Sequence, residues 1–145
     1  MSKDLLIKII EIILPSVIAV LTVFLTNYFN TVSTKRKALQ HRVNAVYKPF
    51  YLAYFKYCTN LSIWDEIDYI NDISKMKNIC LENIDCLETN TQEILINLAR
   101  KLSLWSPGDN TADIDKVFQS LVGNMFKEYK SICYKLKLPK PVSSD

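Results

Sequence analysis

The sequence predicts an all-α protein, a single N-terminal transmembrane helix continuing into a small cytoplasmic helical bundle. Three observations predict it. The run from Ile9 to Phe29 is strongly apolar, and from Ile12 to Thr26 it holds no ionisable side chain. About 20 apolar residues at ~1.5 Å rise cross a hydrocarbon core of ~30 Å. The chain has only two glycines, Gly108 and Gly123, too few for the many tight turns of a β-sandwich or for a phosphate-cradling loop. The rest of the chain repeats apolar side chains at helical spacing with few breakers.

The 145 residues make about one domain. They divide into an anchor at 1–30, a helical cytoplasmic domain at 31–138 and a disordered tail at 139–145. Within the anchor, Lys8 and Glu11 lie three apart and can face each other on one helix side. Pro15 removes a backbone donor and crowds the Glu11 carbonyl, so a kink is expected there. Lys8, Glu11 and Pro15 are the candidates for a function inside the membrane. The bland alternative is snorkelling side chains and a tolerated proline.

Lys35, Arg36, Lys37 and Arg42 follow the apolar run closely. A heavier basic cluster on one side of a span favours the cytoplasm for that side. The expectation is therefore a single-pass cell-membrane protein, N-terminus outside and C-terminal domain cytoplasmic, with the lipid bilayer as partner. A cleaved signal peptide is the competing reading, but Thr31-Val32-Ser33 is a poor cleavage site and the basic cluster after it opposes export.

From Thr31 to Lys48 no glycine or proline occurs, so the anchor is expected to run inward as one long helix until Pro49 interrupts it. Around Pro49 lies the most aromatic segment. Tyr47, Tyr51, Tyr54 and Cys58 share one face at i, i+4, i+7 and i+11, with Phe50 on the flank. Such a stripe reads first as core. Tyr47, Phe50, Tyr51 and Tyr54 are also the candidate partner-binding face, since tyrosine combines an apolar body with a wet tip.

Ser62 is the expected N-cap of the next helix, with Asp65 and Glu66 complementing its dipole. Its buried stripe is expected to include Ile63, Ile67, Ile70, Ile73, Cys80, Ile84 and Leu87. Asp65, Asp68 and Asp72 form an acidic face read as solvated, because no glycine turn accompanies them. Asn90 or Thr91 is expected to start a further helix carrying Leu98, Leu102 and Trp105. Ser106 to Asn110 reads as a loop. A last helix from about Thr111 to Leu136 shows a wide apolar stripe suited to a bundle centre, ended by Pro139 and Pro141.

The four cysteines, Cys58, Cys80, Cys86 and Cys133, form no CxxC pair, and His41 is the only histidine. Zinc is not expected, and the cysteines read as small buried hydrophobes. The net charge of +3 is small and evenly spread, which argues against nucleic acid. None of the common nucleotide, hydrolase or zinc-protease motifs occurs, so no catalytic residue, cofactor or metal is expected and the chain is not read as an enzyme.

Two functional expectations remain. The first is a non-enzymatic interaction module at the inner membrane face that recruits or blocks an unknown protein partner. By analogy of build alone, small anchored proteins of this kind suit immunity, superinfection exclusion or regulation in bacteria and phages. The second is a membrane-active effector, toxin-like or holin-like, whose span forms a homo-oligomer.

Overall fold

The computed structural model describes residues 3–60 and 65–139, with the side chains of 3–12 and of Asn60 outside the description. The N-cap expected at Ser62, the stripe position Ile63 and the tail beyond Pro139 therefore lie outside the described residues. Among the described residues the regular structure is all helical, with no strand. Helix α1 spans Lys3–Arg42, α2 Lys48–Asn60, α3 Glu66–Glu82, α4 Thr89–Leu104 and α5 Ala112–Leu136. By their internal packing the residues group into two compact units, Met1–Ala38 and Leu39–Asp145.

In the first unit, α1 continues as helix through Pro15. The chain is not broken at Pro49 either. A π-helical turn, Val43–Tyr47, joins α1 to α2, and the Lys48 amide bonds to the Val43 carbonyl five residues back. Proline has no amide, and its ring collides with the carbonyl four residues before it in an α-helix. Widening the preceding turn by one residue relieves that collision and lets the helix direction persist. The interruption expected at Pro49 is thus a local change of helix type.

In the second unit, α2 and α5 run antiparallel, as their ring pairs show. Tyr47 stacks on Tyr129, Tyr51 meets Phe126 edge-on at 4.6 Å, and Tyr57 meets Phe118 at 5.6 Å. Thr91 reaches Glu128 while Lys101 reaches Asp113, so α4 is antiparallel to α5 as well. With α3 packed on both α2 and α4, the four form an up-and-down bundle. Phe118, Leu121, Leu95, Leu98, Ile73 and Met76 fill its centre; full burial of each such side chain contributes about 1.5–3 kcal/mol.

Helix ends differ from expectation in instructive ways. Asp65 is the N-cap of α3, its carboxylate accepting from the Asp68 amide at 2.9 Å. The helix stops at Glu82, short of the expected Leu87, and a 3₁₀ turn Ile84–Cys86 follows. Asn83 donates to the Ile79 carbonyl, and Gln92 donates to the Ile84 and Leu87 carbonyls, so the turn's backbone is satisfied by side chains. Ile67, expected in the buried stripe, is half exposed. Helix α4 starts at Thr89, and Thr91 lies buried inside its first turn rather than capping it. Helix α5 ends with Lys137 in the left-handed region (φ 56°), and the Leu138 amide bonds to the Cys133 carbonyl at 2.9 Å. This six-to-one closure ends the helix ahead of Pro139.

Candidate functional site

Over residues 13–29, helix α1 is apolar around most of its circumference and exposes that surface. Leu14, Ile18, Leu21, Phe24, Leu25 and Tyr28 are all at least half exposed, Phe24 at 71%. The long helix containing this segment has mean hydropathy 1.6 over its most apolar window, with none of that window buried. Among the described residues, one helix near the N-terminus is thus long and apolar enough to cross a membrane. Thr22 turns its hydroxyl back onto the Ile18 carbonyl at 2.8 Å, which leaves no free hydroxyl donor at that point of an apolar surface. The side chains of Lys8 and Glu11 lie outside the described residues. Pro15 is exposed within α1.

The basic cluster is divided. Lys35, Arg36 and Lys37 are exposed, as a headgroup-facing group needs. Arg42 is not with them. Its Nε donates to the Cys86 carbonyl, and Nη2 donates to the Tyr47 hydroxyl at 3.0 Å and to Glu128 Oε2 at 3.4 Å. Its guanidinium also lies 5.9 Å from the Tyr47 ring centroid, within cation–π range. Arg42, grouped with Lys35, Arg36 and Lys37 by sequence spacing, is turned inward by the fold to meet a buried carboxylate.

That carboxylate, Glu128, is the polar centre of the bundle, buried to 5% exposure. Oε2 accepts from the Tyr47 hydroxyl, from Arg42 and from the Glu88 amide at 3.2 Å, and Oε1 accepts from the Thr91 hydroxyl. A buried carboxylate is tolerated only when its lone pairs are met in this way. Glu88 and Thr91 stand at the start of α4, so the negative charge also faces the positive end of that helix dipole. The consequences reach the neighbours. Burial, then the bond to Glu128 and its charge, raise the Tyr47 phenol well above its ordinary range, against a smaller lowering by Arg42. Burial first and the Glu128 charge second push the Cys80 thiol up to about 12.

Comparison with protein-family models, with curated proteins and with solved structures found no match.

The aromatic face set out as a partner-binding surface is packed inside the bundle. Tyr47 and Phe50 are fully buried, and half-buried Tyr51 and Tyr54 lie against Phe126, Tyr129 and Phe118. Their i, i+4, i+7 spacing serves packing against α5. Asp72 pairs with Lys75 at 2.6 Å on the surface of α3, and among the described residues no group of His, Cys, Asp or Glu is arranged to hold a metal. Cys80 and Cys133 are buried, Cys58 and Cys86 half-buried, and all four are free thiols.

Sequence reasoning missed Glu128 and Thr91. A signal for Glu128 was present: it stands at the apolar phase of α5, with Leu121, Met125 and Ile132 at i−7, i−3 and i+4. A charge in a buried stripe implies partners on another helix. Chemically, the arrangement fastens three segments together. It holds the start of α2 through Tyr47, the 3₁₀ turn through Arg42, and the start of α4 through Glu88 and Thr91. Each oxygen of Glu128 accepts at least one of these bonds.

Proposed function

We propose that this protein is a non-enzymatic, membrane-anchored helical module that engages a protein partner at the inner face of the cell membrane. The observation that carries the reading is the exposed apolar circumference of α1 beside a bundle with its own closed core. An apolar surface of that extent in water needs lipid or protein to cover it. Its length and its wrap around most of the helix favour lipid. Lys35, Arg36 and Lys37 support an N-terminus outside and a cytoplasmic bundle. A carboxylate held by four donors from separate segments supports a structural role for the network over catalysis. The build suits roles in immunity, superinfection exclusion or regulation in bacteria and phages.

The test is expression of the full chain followed by alkaline-carbonate extraction of membranes. The chain stays in the membrane pellet, and chemical crosslinking in intact cells recovers one reproducible protein partner. Release into the soluble fraction overturns the anchor. Collapse of membrane potential on induction replaces the interaction role with that of an oligomerising, membrane-active span.

A further inference from the structure

Beyond its acidic first turn, the solvent face of α5 is a one-sign surface. From Lys116 to Lys137 the helix holds a single carboxylate, Glu128, and that one is buried and paired. Lys127, Lys130 and Tyr134 fall at i, i+3 and i+7, hence on one face, with Lys135 in the same last turn and Lys137 just past the helix end. All five are exposed. Tyr134 is 81% exposed, the most exposed large apolar side chain among the described residues. An unpacked phenol flanked only by lysines matches what a bilayer interface takes up: the ring sits at the headgroups and lysine stems snorkel around it.

The position in the fold agrees. Tyr129 stacks on Tyr47, Arg42 bonds to Glu128, and both Leu138 and Leu39 pack on the core. The last turns of α5 therefore stand at the end of the bundle where Leu39 lies. Only the chain from Ser33 to Ala38 separates Leu39 from Val32, the last exposed apolar residue of the anchor. Even fully extended, that stretch tethers this end within about 25 Å of the apolar segment. The acidic residues Glu82, Asp85 and Glu88 are exposed at the α3–α4 turn, and Glu88 lines one surface pocket together with Lys127.

We propose that the Lys127–Lys130–Tyr134 face of α5, with Lys135 and Lys137 near it, docks on an anionic phospholipid surface. The inference rests on the anchored reading above and adds a second membrane contact to it. Anionic headgroups attract juxtamembrane lysines additively, and the attraction decays within a Debye length.

The experiment places the full chain in nanodiscs of phosphatidylcholine alone or with phosphatidylglycerol, each carrying a headgroup-spin-labelled lipid. Paramagnetic broadening of amide signals is then read. Broadening at Lys127 to Lys137 is expected to be roughly threefold or more stronger with phosphatidylglycerol. It falls when salt rises from about 0.05 M to about 0.5 M. It is lost in the quadruple variant Lys127→Glu, Lys130→Glu, Lys135→Glu, Lys137→Glu. The salt series uses the native chain, so the proposal stays testable if that variant folds poorly. Broadening that is equal in both lipids, or absent while α1 signals show incorporation, overturns the docking and leaves the face to an acidic protein partner. Failure of the chain to enter the discs overturns the anchored reading itself.

Discussion

The Tyr47 hydroxyl donates to Glu128 Oε2 across the bundle and accepts from Arg42 Nη2 at 3.0 Å. Tyr47 closes the π-helical turn, Glu128 sits mid-way along the C-terminal half of α5, and Arg42 ends α1. One phenol thus joins the segment leaving the anchor to the far side of the bundle. Each member has a partner because the others are present, so the group responds to mutation as a unit.

Glu128→Ala removes the acceptor for Tyr47, Thr91, Glu88 and Arg42 together. Leaving these donors unmet, three of them buried or part-buried beside the cavity, is expected to cost about 2–4 kcal/mol. Glu128→Gln keeps the shape and one acceptor and costs about half of that. Tyr47→Phe costs about 1 kcal/mol. Urea unfolding in detergent, followed by far-UV circular dichroism, orders the three variants; equal stabilities would show that the network contributes nothing.

Deleting Asn44, an exposed residue of the π turn, restores ordinary α-helical phase and brings the Pro49 ring against the preceding turn. The deletion is expected to destabilise by about 3 kcal/mol. Adding Pro49→Ala to the deletion returns the amide and recovers most of the loss. Thermal melts of the deletion with and without Pro49→Ala decide this, and an absence of rescue refutes the link between the proline and the wide turn.

Trp105 carries a buried indole nitrogen with no hydrogen-bond partner among the described residues. Trp105→Phe removes that unmet donor while keeping an aromatic ring. Losing a buried, unsatisfied donor offsets the smaller ring, so the change is expected to be neutral or stabilising by up to about 1 kcal/mol. A midpoint in denaturant shifted clearly downward would mean that the indole is bonded in solution.

Alkali is expected to unfold the bundle. Burial first, and the Glu128 charge second, push the Cys80 thiol from its ordinary 9.0 up to about 12. Burial, then the bond to Cys58, push the Tyr54 phenol from 10.0 up to about 12. Burial and a carboxylate partner also raise Tyr47 and Tyr69. In each case the folded state favours the protonated form, so the unfolded chain releases its proton first. The stability from these groups is complete below pH 9.0 and is lost progressively as pH rises towards about 12. Tyrosinate absorbance and helicity are expected to change together across that window. Ionisation of Tyr54 at 10.0 with helicity intact would contradict the packing.

The amino-acid sequence by itself determined the all-helical class, the long apolar N-terminal helix and the bounds of α5. Apolar side chains recurring at 3.6 residues mark a helix and its buried face without reference to anything distant. It also indicated that the Tyr51 and Tyr54 stripe packs inward. Helix ends were less legible. At Asn83 and Glu88 the deciding partners are Gln92 and Glu128, which come from later in the chain. The Arg42–Tyr47–Glu128 centre and the buried Thr91 were decided only by the tertiary structure. Periodicity tells which side of a helix is apolar, but not which polar residue on it will meet a partner. Arg42 read as one more cation beside a membrane, and only the antiparallel crossing of α5 brings a carboxylate to it. A buried charge is stable only where several elements converge on it, and that convergence belongs to the folded chain.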